Sequence, residues 1–407
     1  MSGTGTLTRS DAIALDAADT LAAYRDRFVI DPDAVYLDGN SLGCLPAATV
    51  ARLHHEIEDQ WGQRAIRGWE EGWLELPVTV GERIARAALG CGPGQVVVGD
   101  STTVSFFKLA SAALDARPGR RQVVTDVDNF PTDRYVLESL ARTRGLEIVW
   151  LEFDPAAGPV ADEVAAVVGP DTALVTFSHV SYRSAFVADM AAISAVAREA
   201  GALMLWDLCH SAGSVPLELD AWGADLAVGC TYKYLNGGPG SPAFMYVRRE
   251  LQDQLSQPIW GWLGRVDPFE MAPGYVGAPG MAHFLSGSPP VLALSAVDEG
   301  VRLVEEAGIS AIHAKAIELT EYCIALADAV LSEYGVRVAS PRDPARRGAH
   351  VGLAHADAVS LCQALIQRGV IPDFRRPDVI RYGFSPLTTR FVDVWDGIEA
   401  LRTLLAG

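Results

Sequence analysis

The residue best placed to do chemistry is Lys233, in the stretch Gly229-Cys230-Thr231-Tyr232-Lys233-Tyr234-Leu235-Asn236-Gly237-Gly238. It follows Asp225-Leu226-Ala227-Val228, whose apolar run reads as a short buried strand. A Gly-Gly-Pro-Gly turn and a second strand, Pro242 to Val247, come next. Burial disfavours an ammonium ion, so a buried strand-end amine tends towards the neutral nucleophile that forms a Schiff base. The alternative is a strand-end lysine whose ammonium reaches solvent. The chain has 33 Lys plus Arg but only three lysines, Lys108, Lys233 and Lys315. Lys108 lies in an apolar helical run and Lys315 in an amphipathic helix, so Lys233 is the candidate for covalent chemistry.

Ligands of open parallel sheets gather at the carboxyl ends of the strands, so the residues that follow each predicted strand are the next candidates. After strand 95–98, Gly99-Asp100-Ser101-Thr102-Thr103-Val104 opens a helix. Its hydroxyls are N-caps or, with the free N–H groups beside them, a phosphate cup. After strand 121–125, Phe130 sits before Pro131 and Asp133, as a core residue or a plate for a planar ring. Ser178, His179, Tyr182 and Arg183 follow strand 173–177. After strand 202–206, Asp207 ends an apolar run and is costly to bury without a partner. A protonated pyridine nitrogen suits it, and a salt bridge at a surface strand end is the other reading. His210 lies three residues on. A phosphate cup, a ring stacker, an aspartate for a pyridinium and a lone lysine, in that order, describe a fold-type I pyridoxal-phosphate enzyme.

These residues need a scaffold. Short apolar runs at 95–98, 121–125, 147–151, 173–177, 202–206, 225–229 and 242–247 alternate with predicted helices 103–115, 132–144, 160–168 and 188–200. That rhythm predicts an α/β fold with a mostly parallel seven-stranded sheet. Further helices are predicted over 8–28, 47–70 and 307–333, and a strand over 349–354. Residues 256–290, rich in Gly and Pro, read as a long ordered loop. The expected organisation is an N-terminal segment (1–60) packing with the small domain, a large cofactor domain (61–291) and a smaller α+β domain (292–407).

At 407 residues and 49% hydrophobic, the chain is long enough for two buried cores. A net charge of −18 argues against nucleic acid or an anionic membrane as partner. The six cysteines show no C-x-x-C pair or zinc spacing, so reduced thiols and no metal site are expected. Met1 to Asp19 lacks the basic start and apolar core of a signal peptide, and no run reaches the ~18 apolar residues of a membrane span. A cytoplasmic protein is expected.

From about residue 30 to 400 the chain closely resembles the kynureninases, particularly the bacterial ones. The resemblance rests on YLDGNSLG (36–43), GDSTTV (99–104), NFPTD (129–133), WDLCHSAG (206–213) and GCTYKYLNGGPG (229–240). It continues in GWLG (261–264), FLSGSPP (284–290), RYGFSPL (381–387) and TRFVDVWD (389–396). It implies a pyridoxal 5'-phosphate-dependent hydrolase of the kynurenine pathway of tryptophan catabolism, which feeds NAD biosynthesis. The reaction implied is Cβ–Cγ cleavage of L-kynurenine or 3-hydroxykynurenine to anthranilate or 3-hydroxyanthranilate and L-alanine. Lys233 would carry the cofactor, Asp207 would pair with the pyridine nitrogen, and Phe130 would stack on the ring. Thr102, Thr103, Asp133, Ser178, His210, Tyr232, Trp262 and Ser288 would line the cofactor. Tyr232 would act as acid or base. Arg381 would take the substrate α-carboxylate, with Asn40, Ser41 and Arg265 near the substrate. A homodimer with interfacial active sites is implied.

Five positions depart from the usual strings of the resembled family: Ser105, Ser181, Arg265, His283 and Thr388. They reflect neutral drift or a ring pocket remodelled for a substituted kynurenine or another γ-oxo amino acid. Two further readings are another fold-type I reaction, desulfuration or transamination, and a cofactor-binding scaffold without catalysis. Cys323 and Cys362, in amphipathic helices, do not look like the mobile reactive cysteine of a desulfurase.

Overall fold

A computed structural model describes residues 7–407. All seven predicted strands form: β1 (Val96–Val98), β2 (Gln122–Asp126), β3 (Glu147–Leu151), β4 (Thr172–Ser178), β5 (Leu203–Asp207), β6 (Leu226–Gly229) and β7 (Phe244–Val247). They make one sheet in the order β1-β7-β6-β5-β4-β2-β3. β7 runs antiparallel to both its neighbours, and the other contacts are parallel. The inner strands are largely apolar because both faces are covered, whereas the edge strand β3 is only partly buried. Val96, Val98, Met204 and Trp206 enter one core, and Val97, Leu203 and Leu205 enter the other.

The smaller unit has a four-stranded antiparallel sheet in the order Arg337–Val338, His350–Ala354, Val379–Gly383, Asp373–Arg375. Helices Ile309–Val330, Ala358–Gln367 and Phe391–Ala406 cover it. Ala12 and Leu37 join this small core, whereas Leu21 and Phe28 join the large one, so the N-terminal segment straddles both. The seam falls inside helix Ile309–Val330, where Ile312 belongs to the large core and Leu319 to the small one.

Three predicted helices are interrupted. The first ends at Ala18, because Asp19 leaves helical geometry, accepts a hydrogen bond from the Leu21 N–H and pairs with Lys315 at 2.6 Å. The second is α-helical only over Ala47–His55, then widens across Glu56–Arg64 and tightens over Ala65–Trp69. Buried Glu56 there binds Arg52 and the Trp73 indole N–H. The third starts at Ile309 after Gly308 at φ +80°, and a helix missed in the sequence, Val291–Ala307, precedes it.

Candidate active site

The chains leaving β1, β2, β4, β5 and β6 converge on a cavity of about 170 Å³. Thr102, Thr103, Phe130, Asp133, Ser178, Asp207, His210, Tyr232 and Lys233 all line it, together with Ser101, Tyr182 and Cys209. Thus β-strand ends bring together most residues singled out in the sequence. A larger cavity of about 320 Å³ lies between Gln252 and His283 and contains none of them.

Lys233 is 8% exposed. Its Nζ lies 3.4 Å from each ring nitrogen of His210 and faces the Phe130 ring, 5.8 Å from the centroid. The other lysines are buried with carboxylates, Lys108 with Asp100 and Lys315 with Asp19, each at 2.6 Å. Among the described residues, Lys233 forms no such pair. The turn behind it is tightly held. Asn236, at φ +54°, donates its N–H to the Lys233 carbonyl (3.0 Å), and Gly43 donates to the Tyr232 carbonyl (2.8 Å). A Cβ at position 43 would come within 2.2 Å of the Lys233 carbonyl oxygen, so this loop requires glycine there.

The acidic end of the cavity is crowded. Asp207 Oδ1 accepts the Cys209 N–H at 2.7 Å. Burial and the adjacent Asp207 carboxylate push Asp133 well above the usual carboxylate range and so favour its protonated form. Its Oδ2 is buried without a partner. Burial, then the charges of Lys233 and Arg381, keep His210 neutral. Burial also raises the Tyr232 phenol, helped by Cys230, so it stays protonated.

The opposite end is a helix start. Ser101 caps helix Thr102–Asp115 by accepting the Val104 N–H at 3.4 Å, leaving the first-turn N–H groups and the Thr102 and Thr103 hydroxyls together. Lys108, unassigned in the sequence, fastens this turn by bonding Asp100 and the Phe284 carbonyl (2.8 Å). Phe130 precedes helix Pro131–Arg144 with Pro131 at its first position, and Asn129 Oδ1 accepts its N–H at 2.8 Å. Ser178 Oγ donates to the same Asn129 oxygen at 2.9 Å, so Asn129, also missed, sets both residues.

Arg381, Asn40 and Ser41 form a second cluster beside the cavity, outside its wall. Arg381 is fully buried and grips Asp373 with Nε (2.7 Å) and Nη2. Nη2 also donates to Ser41 Oγ at 3.1 Å and Nη1 to the Tyr182 carbonyl. Asn40 fits with its amide oxygen towards Arg381 Nη2 (3.3 Å) and its nitrogen towards Asp38 (3.2 Å). Arg375 shares Asp373 at 2.7 Å. Burial and the Asp373 charge raise Asp38 to about 6. Asp373 is the partner the sequence reading lacked. His350 was also missed: it is fully buried, with no partner for either ring nitrogen, 5.9 Å from the His210 ring.

The remaining candidates lie elsewhere. Trp262 packs edge-on against Phe269 at 5.7 Å, Ser288 is exposed, and Arg265 bonds its own loop through the carbonyls of Val266, Asp267 and Gly274. None of the three lines the cavity, because segment 256–290 folds on the β1 side of the large domain. The five departures also fall outside the wall. Ser105 Oγ is tied to the Gly99 carbonyl (3.3 Å), and Thr388 lies against Cys44.

Residues 312–401 match the family model of the kynureninase C-terminal domain. The kynureninase of Pseudomonas fluorescens is 41% identical over 403 residues, spanning 98% of this chain and 95% of the relative. That of Burkholderia pseudomallei (strain K96243) is 42% identical over 405 residues, with the same coverage. Among solved structures, the apo cysteine desulfurase from Thermococcus onnurineus NA1 superposes with a TM-score of 0.84 at 17% identity, covering 95% of this chain and 98% of that one. A C-DES mutant with glycine covalently linked to its PLP cofactor gives 0.82 at 17% identity, covering 94% and 98%. At these identities the structural likeness carries the fold alone.

Proposed function

Because the chain belongs to the kynureninase family, we propose that it hydrolyses the Cβ–Cγ bond of L-kynurenine or 3-hydroxykynurenine, with pyridoxal phosphate held around Lys233. The products are anthranilate or 3-hydroxyanthranilate and L-alanine. One observation carries the cofactor reading: Lys233 alone among the lysines has no carboxylate and faces an aromatic plate inside a cavity. The donor set fits the group. The helix start at Thr102 and Thr103 suits a phosphate, Phe130 suits the ring, and Asp207, beside the unpartnered Asp133 oxygen, suits the ring nitrogen.

When bound, the cofactor supplies an electron sink for the bonds broken at the substrate Cα and Cβ. Asp207 would hold a proton on the pyridine nitrogen and so sustain that capacity. Lys233 Nζ would anchor the cofactor and, as a free amine, would accept the proton from the substrate Cα. The neutral His210 ring lies against that Nζ and does not compete with it for positive charge. Tyr232, protonated in its buried setting, serves as the acid when the Cβ–Cγ bond breaks and water adds at the γ-carbonyl. Arg381 takes the α-carboxylate by sharing its guanidinium with Asp373, with Ser41 and Asn40 fixing its orientation.

The working form is a cytoplasmic homodimer in which Trp262, Arg265 and Ser288 complete the partner's site. Two features support this: none of the three lines its own cavity, and Trp260 (60%), Phe269 (60%) and Met271 (73%) leave an apolar surface on their segment. Among the described residues, no helix is long and apolar enough to cross a membrane. A desulfurase reading gains nothing, since Cys323 and Cys362 are buried in helices. The test is turnover of the cofactor-loaded protein on L-kynurenine and 3-hydroxy-L-kynurenine, following the aromatic acid and alanine together. Stoichiometric release of both is expected from at least one substrate. A normal cofactor absorbance band with negligible turnover of both would overturn the substrate assignment.

A further inference from the structure

The register of the central sheet sets a thiol of the cavity wall beside a second thiol buried behind it. In the parallel β5–β6 pair, Asp207 lies opposite Val228. Two residues beyond each stand Cys209 and Cys230. The Cys230 N–H donates to Cys209 Sγ at 3.2 Å, and Cys230 Sγ approaches the Cys209 carbonyl at 3.7 Å. Both cysteines stand just past their strand ends, and the N–H contact brings Cys209 Sγ directly against the Cys230 backbone. Cys209 is half-buried and lines the cavity, whereas Cys230 is buried behind it. The role proposed for Lys233 and Asp207 uses neither sulfur.

We propose that Cys209 and Cys230 are an oxidisable pair that closes to a disulfide when a peroxide enters the cavity in the absence of cofactor. The cofactor part rests on the reading above. The hydrogen bond between the sulfurs and burial raise the Cys209 thiol, whereas the Cys230 thiol, despite its burial, is lowered by that same bond and by the Lys233 charge. One thiolate attacks a peroxide oxygen, the O–O bond breaks, and the departing hydroxide takes a proton to leave as water. The second sulfur then releases its proton and attacks the resulting sulfenic acid. The S–S bond forms, the S–O bond breaks, and hydroxide leaves as a second water. Two thiols thereby lose two electrons and two protons, and hydrogen peroxide becomes two waters. The bond would bind two elements the site depends on. The Cys209 N–H holds Asp207, and Cys230 lies three residues before Lys233. Oxidised protein should therefore bind cofactor poorly until a dithiol reductant reopens the bond.

The experiment treats cofactor-free and cofactor-loaded protein with hydrogen peroxide and maps disulfide-linked peptides by mass spectrometry over time. A Cys209–Cys230 peptide is expected in the cofactor-free wild type and absent from Cys209→Ser and Cys230→Ser. With pyridoxal phosphate at about 100 times its Kd, empty cavities and the linkage rate should both fall about 100-fold. Oxidation of Cys44 or Cys91 without that peptide would overturn the pair. Equal linkage rates in protein showing the cofactor absorbance band would overturn the protection. Absence of the band after loading would count against the cofactor reading, while the linked peptide in untreated-with-cofactor protein would still decide the thiol pair.

Discussion

Two polar clusters meet at His210 and are built by opposite rules. On the cavity side, among the described residues, Lys233 has no carboxylate, Asp133 Oδ2 has no partner, and two carboxylates crowd one another. On the small-domain side, Arg381 and Arg375 converge on Asp373, and Ser41 and Asn40 take further Arg381 contacts. Buried polar groups are ordinarily paired, so the spare capacity of the first cluster suits a ligand, whereas in the second Arg381 is already paired, although Arg375 Nε has no partner among the described residues. Under the proposed function, a substrate carboxylate would share Arg381 with a resident aspartate, while the cofactor would meet groups with bonding capacity to spare.

Substitutions can break that contrast at either end. The largest effect is expected from Lys233→Ala, which should lower kcat by more than about 1000-fold and remove the lysine-bound absorbance band. Tyr232→Phe should slow turnover by about 100-fold while leaving the band intact, and unchanged turnover would remove Tyr232 as the acid. Asp373→Asn and Asp133→Asn sharpen the comparison through stability. Removing Asp373 strands the buried Arg381 and the partly exposed Arg375 and should cost about 3 kcal/mol in cofactor-free protein. Burial and Asp207 favour the protonated form of Asp133, so its amide should change stability by less than about 1 kcal/mol. Denaturant unfolding of both variants measures the difference, and equal losses would contradict it.

A pH-dependent effect concerns Asp38. Its folded pKa, about 6, lies above the ordinary 3.8, so the native state binds this proton more tightly than the unfolded chain. That stabilisation is complete below about pH 4 and disappears as pH rises through about 6. Asp38→Asn should therefore gain melting temperature relative to wild type as pH goes from 4.5 to 7.5. A constant difference across that range would show that Asp38 does not titrate there.

Much of the cavity is readable in the sequence because its residues sit just beyond strands, and the strands announce themselves as unbroken apolar runs. The scarcity of lysine isolates Lys233, and the structure sharpens the point by giving Lys108 and Lys315 carboxylates. What the sequence hides is tertiary pairing. Nothing local says that Asp373 on one strand captures Arg381 on the next, or that Asp133 meets Asp207 across the cavity. The bend at Asp19 is equally hidden, since its cause is a lysine about 300 residues away. Helix Val291–Ala307 went unread because it follows the Gly- and Pro-rich stretch that dominates the local pattern. Trp262, Arg265 and Ser288 came through resemblance alone, and their place outside the cavity is the strongest reason to weigh a second subunit.

The most direct measurement is borohydride reduction of the cofactor-loaded protein, followed by peptide mapping of the pyridoxyl label. The account predicts one labelled lysine, Lys233, with stoichiometry near one per chain, and no label in Lys233→Ala. Label on Lys108 or Lys315 in the wild type, or undiminished label in Lys233→Ala, would contradict it.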